Sequence, residues 1–228
     1  MAYKVKESFL TLQGEGAQAG RLSVFVRFSG CNNWSGREQD RQSGPADCAR
    51  WCDTDFVGTD GDGGGSFSLS TLIDRIQSLW PKSSDPGSDR PLYVVFTGGE
   101  PALQLDQALV DGLHSVGAQV AVETNGSLPL PEGLDWVCVS PKRLLNGQPQ
   151  PLVVTRGDEL KLVMPQTGFD IAALESLDFA HFFVQPLDYT AMGRRQSAGS
   201  AMDWCMDWIR QHPRWRLSLQ THKMIGIR

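Results

Sequence analysis

Leu92-Tyr93-Val94-Val95-Phe96-Thr97-Gly98-Gly99-Glu100-Pro101 is the stretch that decides the fold. Its apolar run 92–96 has no polar interruption, as in a strand buried on both faces, and it breaks abruptly into glycine, acid and proline. Downstream, residues 105–116 carry helical spacing and stop at Gly117, and Gln119–Thr124 is strand-like again. A strand, a helix and a second strand in that order imply parallel pairing. The alternation continues in both directions. Residues 22–29 alternate with Val24, Val26 and Phe28 on one face, and residues 68–80 place Leu69, Leu72, Ile73, Ile76, Leu79 and Trp80 at helical spacing before Pro81. Residues 135–140, 160–164, 181–185 and 215–220 are predicted strands, and 171–177 and Ala201–Gln211 helices. The expected class is an α/β sheet or barrel.

Composition narrows the possibilities. The chain has 228 residues, 40% hydrophobic and 21% charged, which suits one domain with an ample core. Lys plus Arg number 21 against 26 Asp plus Glu, a net charge of −5 that argues against nucleic acid as a partner. No apolar run approaches the ~20 residues of a membrane span, and residues 1–7 lack the apolar core of a signal peptide, so a cytoplasmic protein is expected. Residues 58–65 suggest a calcium loop but lack the bidentate acid such a loop requires, and they are expected to be a surface loop. Residues 81–91 and 146–151 are expected connectors.

The chemistry collects after the strands. Arg27 and Ser29-Gly30-Cys31 close the first, Thr97–Pro101 the next, then Glu123-Thr124-Asn125-Gly126-Ser127 and Ser140-Pro141-Lys142. Gln185-Pro186-Leu187-Asp188 and Gln220-Thr221-His222-Lys223 complete the series. Each alone reads as a turn. In parallel α/β architectures, however, strand C-termini share one edge, so six such clusters would meet at one site. The five cysteines add a second signal. Cys138 and Cys205 sit in apolar patterns and read as core residues, whereas Cys31, Cys48 and Cys52 form a polar C-x16-C-x3-C cluster. A soft thiolate trio suits an iron–sulfur cluster with one open iron, or zinc with a fourth ligand such as His222. Spacing alone leaves both open.

Cys31…Cys48…Trp51-Cys52 resembles the cluster motif of the radical S-adenosylmethionine superfamily, and Thr97–Pro101 its glycine-rich loop. More narrowly, the chain resembles the 7-carboxy-7-deazaguanine synthase family of the queuosine pathway. The resemblance rests on Leu12-Gln13-Gly14-Glu15-Gly16, residues 34–38, Cys52-Asp53-Thr54-Asp55-Phe56, 123–127, 140–142, Val184-Gln185-Pro186 and 220–223. It departs from the usual C-x3-C-x2-C by a long first gap and by one extra residue in the second. The resemblance implies a single core domain over 1–228, with a cluster-loop insertion at about 32–47. The implied fold is a partial, incomplete parallel β/α barrel of about six strands with reduced helices.

The resemblance also implies roles. Cys31, Cys48 and Cys52 would hold a [4Fe–4S] cluster and Thr54 a magnesium ion. Trp51, Asp53, Gly99, Glu100, Ser140, Pro141, Lys142, Gln185, Pro186, Leu187 and Asp188 would hold S-adenosylmethionine. Leu12, Gln13, Gly14, Glu15, Arg27, Thr97, His222 and the terminal Arg228 would receive 6-carboxy-5,6,7,8-tetrahydropterin. The implied reaction is hydrogen abstraction, ring contraction and loss of ammonia, a carbon–nitrogen lyase activity. A homodimer and a flavodoxin- or ferredoxin-like electron donor are implied too. Plainer roles stand beside these: Glu100-Pro101 as helix punctuation, Thr54 as a turn cap, His222 as a structural histidine. Two other functions are weighed, a glycyl-radical activase and a non-catalytic zinc-stabilised binding module.

Overall fold

The computed structural model describes residues 2–81, 90–188 and 201–227. The strands are β1 (Tyr3–Leu12), β2 (Leu22–Phe28), β3 (Gly65–Phe67), β4 (Tyr93–Gly98), β5 (Gln119–Thr124), β6 (Trp136–Val139), β7 (Arg156–Met164), β8 (Asp178–Pro186) and β9 (Trp215–Leu217). The helices are α1 (Leu69–Leu79), α2 (Gln107–Ser115), α3 (Ile171–Glu175), α4 (Ala201–Gln211) and α5 (Thr221–Ile225), with four short 3₁₀ turns besides. All nine described strands form one sheet, in the order β3-β1-β2-β4-β5-β6-β7-β8-β9. From β2 through β9 every pairing is parallel, and β1 and β3 add antiparallel at one edge. No helix among the described residues is long and apolar enough to cross a membrane.

The apolar run that opened the sequence is buried on both faces. Val94 and Phe96 of β4 pack with Leu72, Ile76, Leu109 and Leu113 of α1 and α2, while Tyr93 and Val95 face Phe25 and Trp136 on the concave side. Each fully buried Phe or Leu here contributes about 1.5–3 kcal/mol. Ser68 and Asp106 cap α1 and α2 by accepting from the amides of Thr71 and Leu109, at 3.3 and 3.0 Å. A second core joins β7, β8 and β9 to α4 through Leu160, Leu162, Phe182, Val184, Cys205 and Trp215.

The architecture is the expected mostly parallel sheet with few helices, but it carries more strands than the expected six or so. The strand β1, charged at Lys4, Lys6 and Glu7, shifts register between Val5 and Glu7, which breaks the alternation that would have revealed it. Residues 215–220 were expected to be one strand; β9 stops at Leu217, and the chain turns into α5 after Ser218 donates its amide to Val184 O at 2.9 Å. The loop after β1 spans the mouth of the sheet. Gly16 N donates to Ser218 Oγ at 3.0 Å, and Thr221 N donates to Gly14 O at 2.9 Å.

Candidate active site

The strand ends meet, as the clusters implied, around a cavity of about 520 Å³. Its wall includes Cys31, Cys48, Trp51, Cys52, Asp53, Thr54, Thr97, Gly99, Ser140, Lys142, Gln185, Pro186, Leu187 and Asp188. Leu12, Gln13, Gly14, Glu15, Arg27 and His222 line it as well. Two expected residues do not: Glu100 is fully buried beneath the wall and Pro141 is buried in the turn between Ser140 and Lys142. The expected Arg228 lies outside the described residues.

At one end stand the three thiols. Cys31 and Cys52 pack against Trp34, Ala49 and Phe56, with Trp34 and Phe56 edge to face at 5.6 Å. Asn33 serves two sulfurs at once: its amide nitrogen donates to Cys31 Sγ at 3.4 Å and its side-chain nitrogen to Cys48 Sγ at 3.7 Å. Burial pushes the Cys31 thiol up and the Cys48 thiol up to about 12. A bound cation is what would hold such thiols as thiolates. No trio of His, Cys, Asp or Glu among the described residues closes around a single metal ion. Three sulfurs on one wall, with N–H donors aimed at them, fit a larger iron–sulfur unit.

Residues 32–47, the segment expected to be an insertion, fold back against the cysteine-bearing segment. Arg41 donates to Ala49 O at 2.7 Å and Cys52 O at 3.0 Å while lying over the Trp34 ring. Asp47, largely buried, accepts from Arg143 at 2.5 Å, which ties the segment carrying Cys48 to the loop after β6. The glycine pair has a geometric reason. A Cβ on Gly99 would collide with Gly30 O and come within 2.6 Å of Cys31 Cβ, and one on Gly98, at φ +146°, would strike Phe28 O. Only glycines let the exit of β4 lie against the exit of β2.

Glu100 works as an internal strut. Its carboxylate accepts from Thr124 Oγ1 at 2.6 Å, Asn125 N at 2.8 Å and Ala102 N at 2.9 Å, and burial pushes its carboxyl up. Lys223 ties Asp53 and Asp188 together at 2.5 and 2.8 Å, joining the segment after Cys52 to the exit of β8. Lys142 is half-buried in the cavity wall, where desolvation lowers the pKa of its ammonium, and it stands 5.7 Å from the centre of the Trp51 ring.

The other end is built on a buried lysine. Lys161 Nζ binds Glu15 Oε2 at 2.6 Å and Glu123 Oε2 at 3.0 Å. Gln13 donates to Glu123 at 3.1 Å, and Gln220 donates to Glu15 at 2.9 Å. Burial is the largest single influence on the Glu15 carboxyl and would raise it, but the Lys161 charge, the hydrogen bonds from Lys161 and Gln220, and the nearby His222 together outweigh it and hold it at about 2. Arg27 Nε donates to Glu7 at 2.8 Å. His222 stands where a Cβ on Gly14 would be, and burial lowers its imidazole, which keeps it neutral at pH 7. Lys161, Glu7 and Asn33 were not singled out by sequence, and Trp34 entered only as part of the stretch that carries the resemblance. The available signal was a lone charge inside the apolar 160–164, because an unpaired lysine is almost never buried.

No family model matches the chain. A 7-carboxy-7-deazaguanine synthase of Bordetella pertussis is 56% identical over 228 residues, covering all of both chains. The chain belongs to the 7-carboxy-7-deazaguanine synthase family. A synthase of Burkholderia multivorans is 54% identical and one of Bacteroides thetaiotaomicron 39% identical, each over the full length of both chains. The crystal structure of QueE from Escherichia coli matches with a TM-score of 0.65 at 25% identity, covering 97% of this chain and 95% of that one.

Proposed function

We propose that this chain is a radical S-adenosylmethionine enzyme that converts 6-carboxy-5,6,7,8-tetrahydropterin to 7-carboxy-7-deazaguanine, a carbon–nitrogen lyase. One observation carries the reading: three cysteines and six strand-end clusters, far apart in the chain, line one cavity. Full-length relatedness to synthases favours it over a glycyl-radical activase or a zinc-stabilised module.

Cys31, Cys48 and Cys52 would hold the [4Fe–4S] cluster, with S-adenosylmethionine against Trp51, Asp53, Gly99, Ser140, Lys142 and Gln185–Asp188. When bound, cluster and cofactor would supply the radical chemistry that hydrogen abstraction from the substrate ring requires. The chain's own residues confine that chemistry. Trp34, Phe56 and Trp51 keep the thiol end apolar, which limits water and stray hydrogen donors. Arg27 offers a planar fork to a carboxylate or ring carbonyl, and Gln13 with the backbone of Leu12 and Gly14 offers mixed donors and acceptors to the ring. Thr54 would supply one hydroxyl to a sparsely held magnesium completed by substrate oxygens. A homodimer, a cytoplasmic setting and a flavodoxin- or ferredoxin-like donor belong to the same reading, on the family resemblance.

The test is anaerobic reconstitution with iron and sulfide, then incubation with dithionite, S-adenosylmethionine and the carboxypterin, followed by mass spectrometry. Expected are 5′-deoxyadenosine and the deazapurine together. Deoxyadenosine without deazapurine would point to another radical enzyme. One equivalent of zinc and no iron after anaerobic purification would point to the binding module.

A further inference from the structure

Lys161 is only 3% exposed, yet it faces two carboxylates, Glu15 and Glu123, and a third, Glu159, acts on it electrostatically. One buried cation facing two carboxyl groups is more acid than a single ion pair needs, which stability alone does not favour, because desolvation is incompletely repaid. Such an arrangement is expected where a ligand completes the charge and hydrogen-bond count. Each acid is also pinned from its other oxygen, Glu15 by Gln220 and Glu123 by Gln13. Gln13 Oε1 in turn accepts from Glu15 N at 3.2 Å, so its amide orientation follows from the same network. The chain of contacts therefore runs from β7 to both sides of the ring end of the cavity.

We propose that Lys161 is a positioning residue for substrate: a buried ammonium that fixes Glu15 and Glu123, and through them Gln13 and Gln220, as an oriented array of acceptors for an N–H-rich heterocycle. The inference rests on the proposed pterin substrate. A reduced pterin carries more N–H donors than acceptors along its ring edges, and the two carboxyl groups retain acceptor lone pairs after the internal bonds are made. Without the lysine, the acids would repel each other, rotate apart or take up protons, and the amides they orient would turn with them. Lys161 itself need not touch substrate.

The experiment compares wild type with Lys161→Met and Lys161→Arg. Binding of 6-carboxy-5,6,7,8-tetrahydropterin to enzyme without reductant is measured by isothermal titration, and turnover by product and deoxyadenosine release. Misplaced recognition groups cost on the order of 10²-fold. Lys161→Met should weaken pterin binding and kcat/KM by about that factor, release more deoxyadenosine per product, and move the acid limb of the kcat/KM profile to higher pH. If Lys161→Met does not fold, Lys161→Arg decides. Its planar fork cannot hold both acids as a compact ammonium does, and it should weaken binding about tenfold while remaining folded. Wild-type binding and an unmoved pH profile in a folded variant overturn the inference, even if melting temperature falls. Wild-type enzyme that neither binds nor converts the pterin instead overturns the function proposed above.

Discussion

Replacing Glu100 with alanine separates two roles for an acid that the family resemblance assigned to the cofactor. In the structure its carboxylate is fully buried and accepts from Thr124 Oγ1, Asn125 N and Ala102 N. The threonine hydroxyl can turn to another acceptor, whereas the two backbone amides are fixed. Leaving a buried donor unpaired costs about 1–3 kcal/mol, so Glu100→Ala should lose about 2–6 kcal/mol. That is a large part of the roughly 5–15 kcal/mol that holds a typical domain. In urea the midpoint should fall by about 1–2 M with the slope unchanged. Glu100→Gln keeps one acceptor oxygen and should lose about half as much. The assay is equilibrium unfolding followed by circular dichroism, alongside S-adenosylmethionine binding. A Glu100→Ala protein with the wild-type midpoint but no cofactor binding would refute the strut and return the carboxylate to the cavity.

Burial and the nearby charge of Glu123 push the Glu159 carboxyl up to about 7, from an ordinary 4.5. The fold therefore favours its protonated form, and stability should fall by about 3 kcal/mol as pH rises from about 4.5 to 7. Glu159→Gln should flatten that dependence and melt a few degrees higher at pH 8, after losing about 1 kcal/mol from the Ala17 amide bond; parallel melting curves for both proteins would count against it. Gly99→Ala drives a Cβ into the Gly30 carbonyl and Cys31, so about 1–3 kcal/mol of strain should appear as reduced iron per chain in a folded protein, read by metal analysis. Cys52→Ala should abolish cluster formation and deoxyadenosine release with an unchanged far-ultraviolet spectrum. Thr54→Ala should slow deazapurine formation more than cofactor cleavage and flatten the magnesium dependence, and Thr54→Ser should restore both.

Much of the parallel sheet was legible because its strands are apolar on both faces. Gln119–Thr124 and Ala201–Gln211 carry the boundaries their periodicity suggests, and 92–97 shifts by one residue. The antiparallel edge was not legible. The strand β1 carries Lys4, Lys6 and Glu7, and Lys6 is buried against Asp55 and Asp60 from the loop before β3, a pairing no local pattern reveals. The strands β7 and β8 begin earlier than expected because Arg156 and Asp178 pair across them, extending a ladder through polar residues. The site was legible as segments, since glycines, prolines and amides punctuate strand ends whatever their purpose. Which member of a segment faces inward was not. Glu100 and Thr97 sit three residues apart, yet one is sealed beneath the wall and the other lines it. Lys161 was hidden for the opposite reason, a charge inside an apolar run whose partners arrive from residues 15 and 123.

The bond between Thr221 and Gly14 has a temporal consequence. Residues 218–223 leave the ribosome after every described strand, while the hairpin of β1 and β2 that they fasten emerges before the other described strands. A nascent chain can thus assemble its scaffold with the mouth still unlatched. The mouth of the cavity is thus fastened by a segment translated after the sheet it closes, so the wall comes together only once the described scaffold is in place.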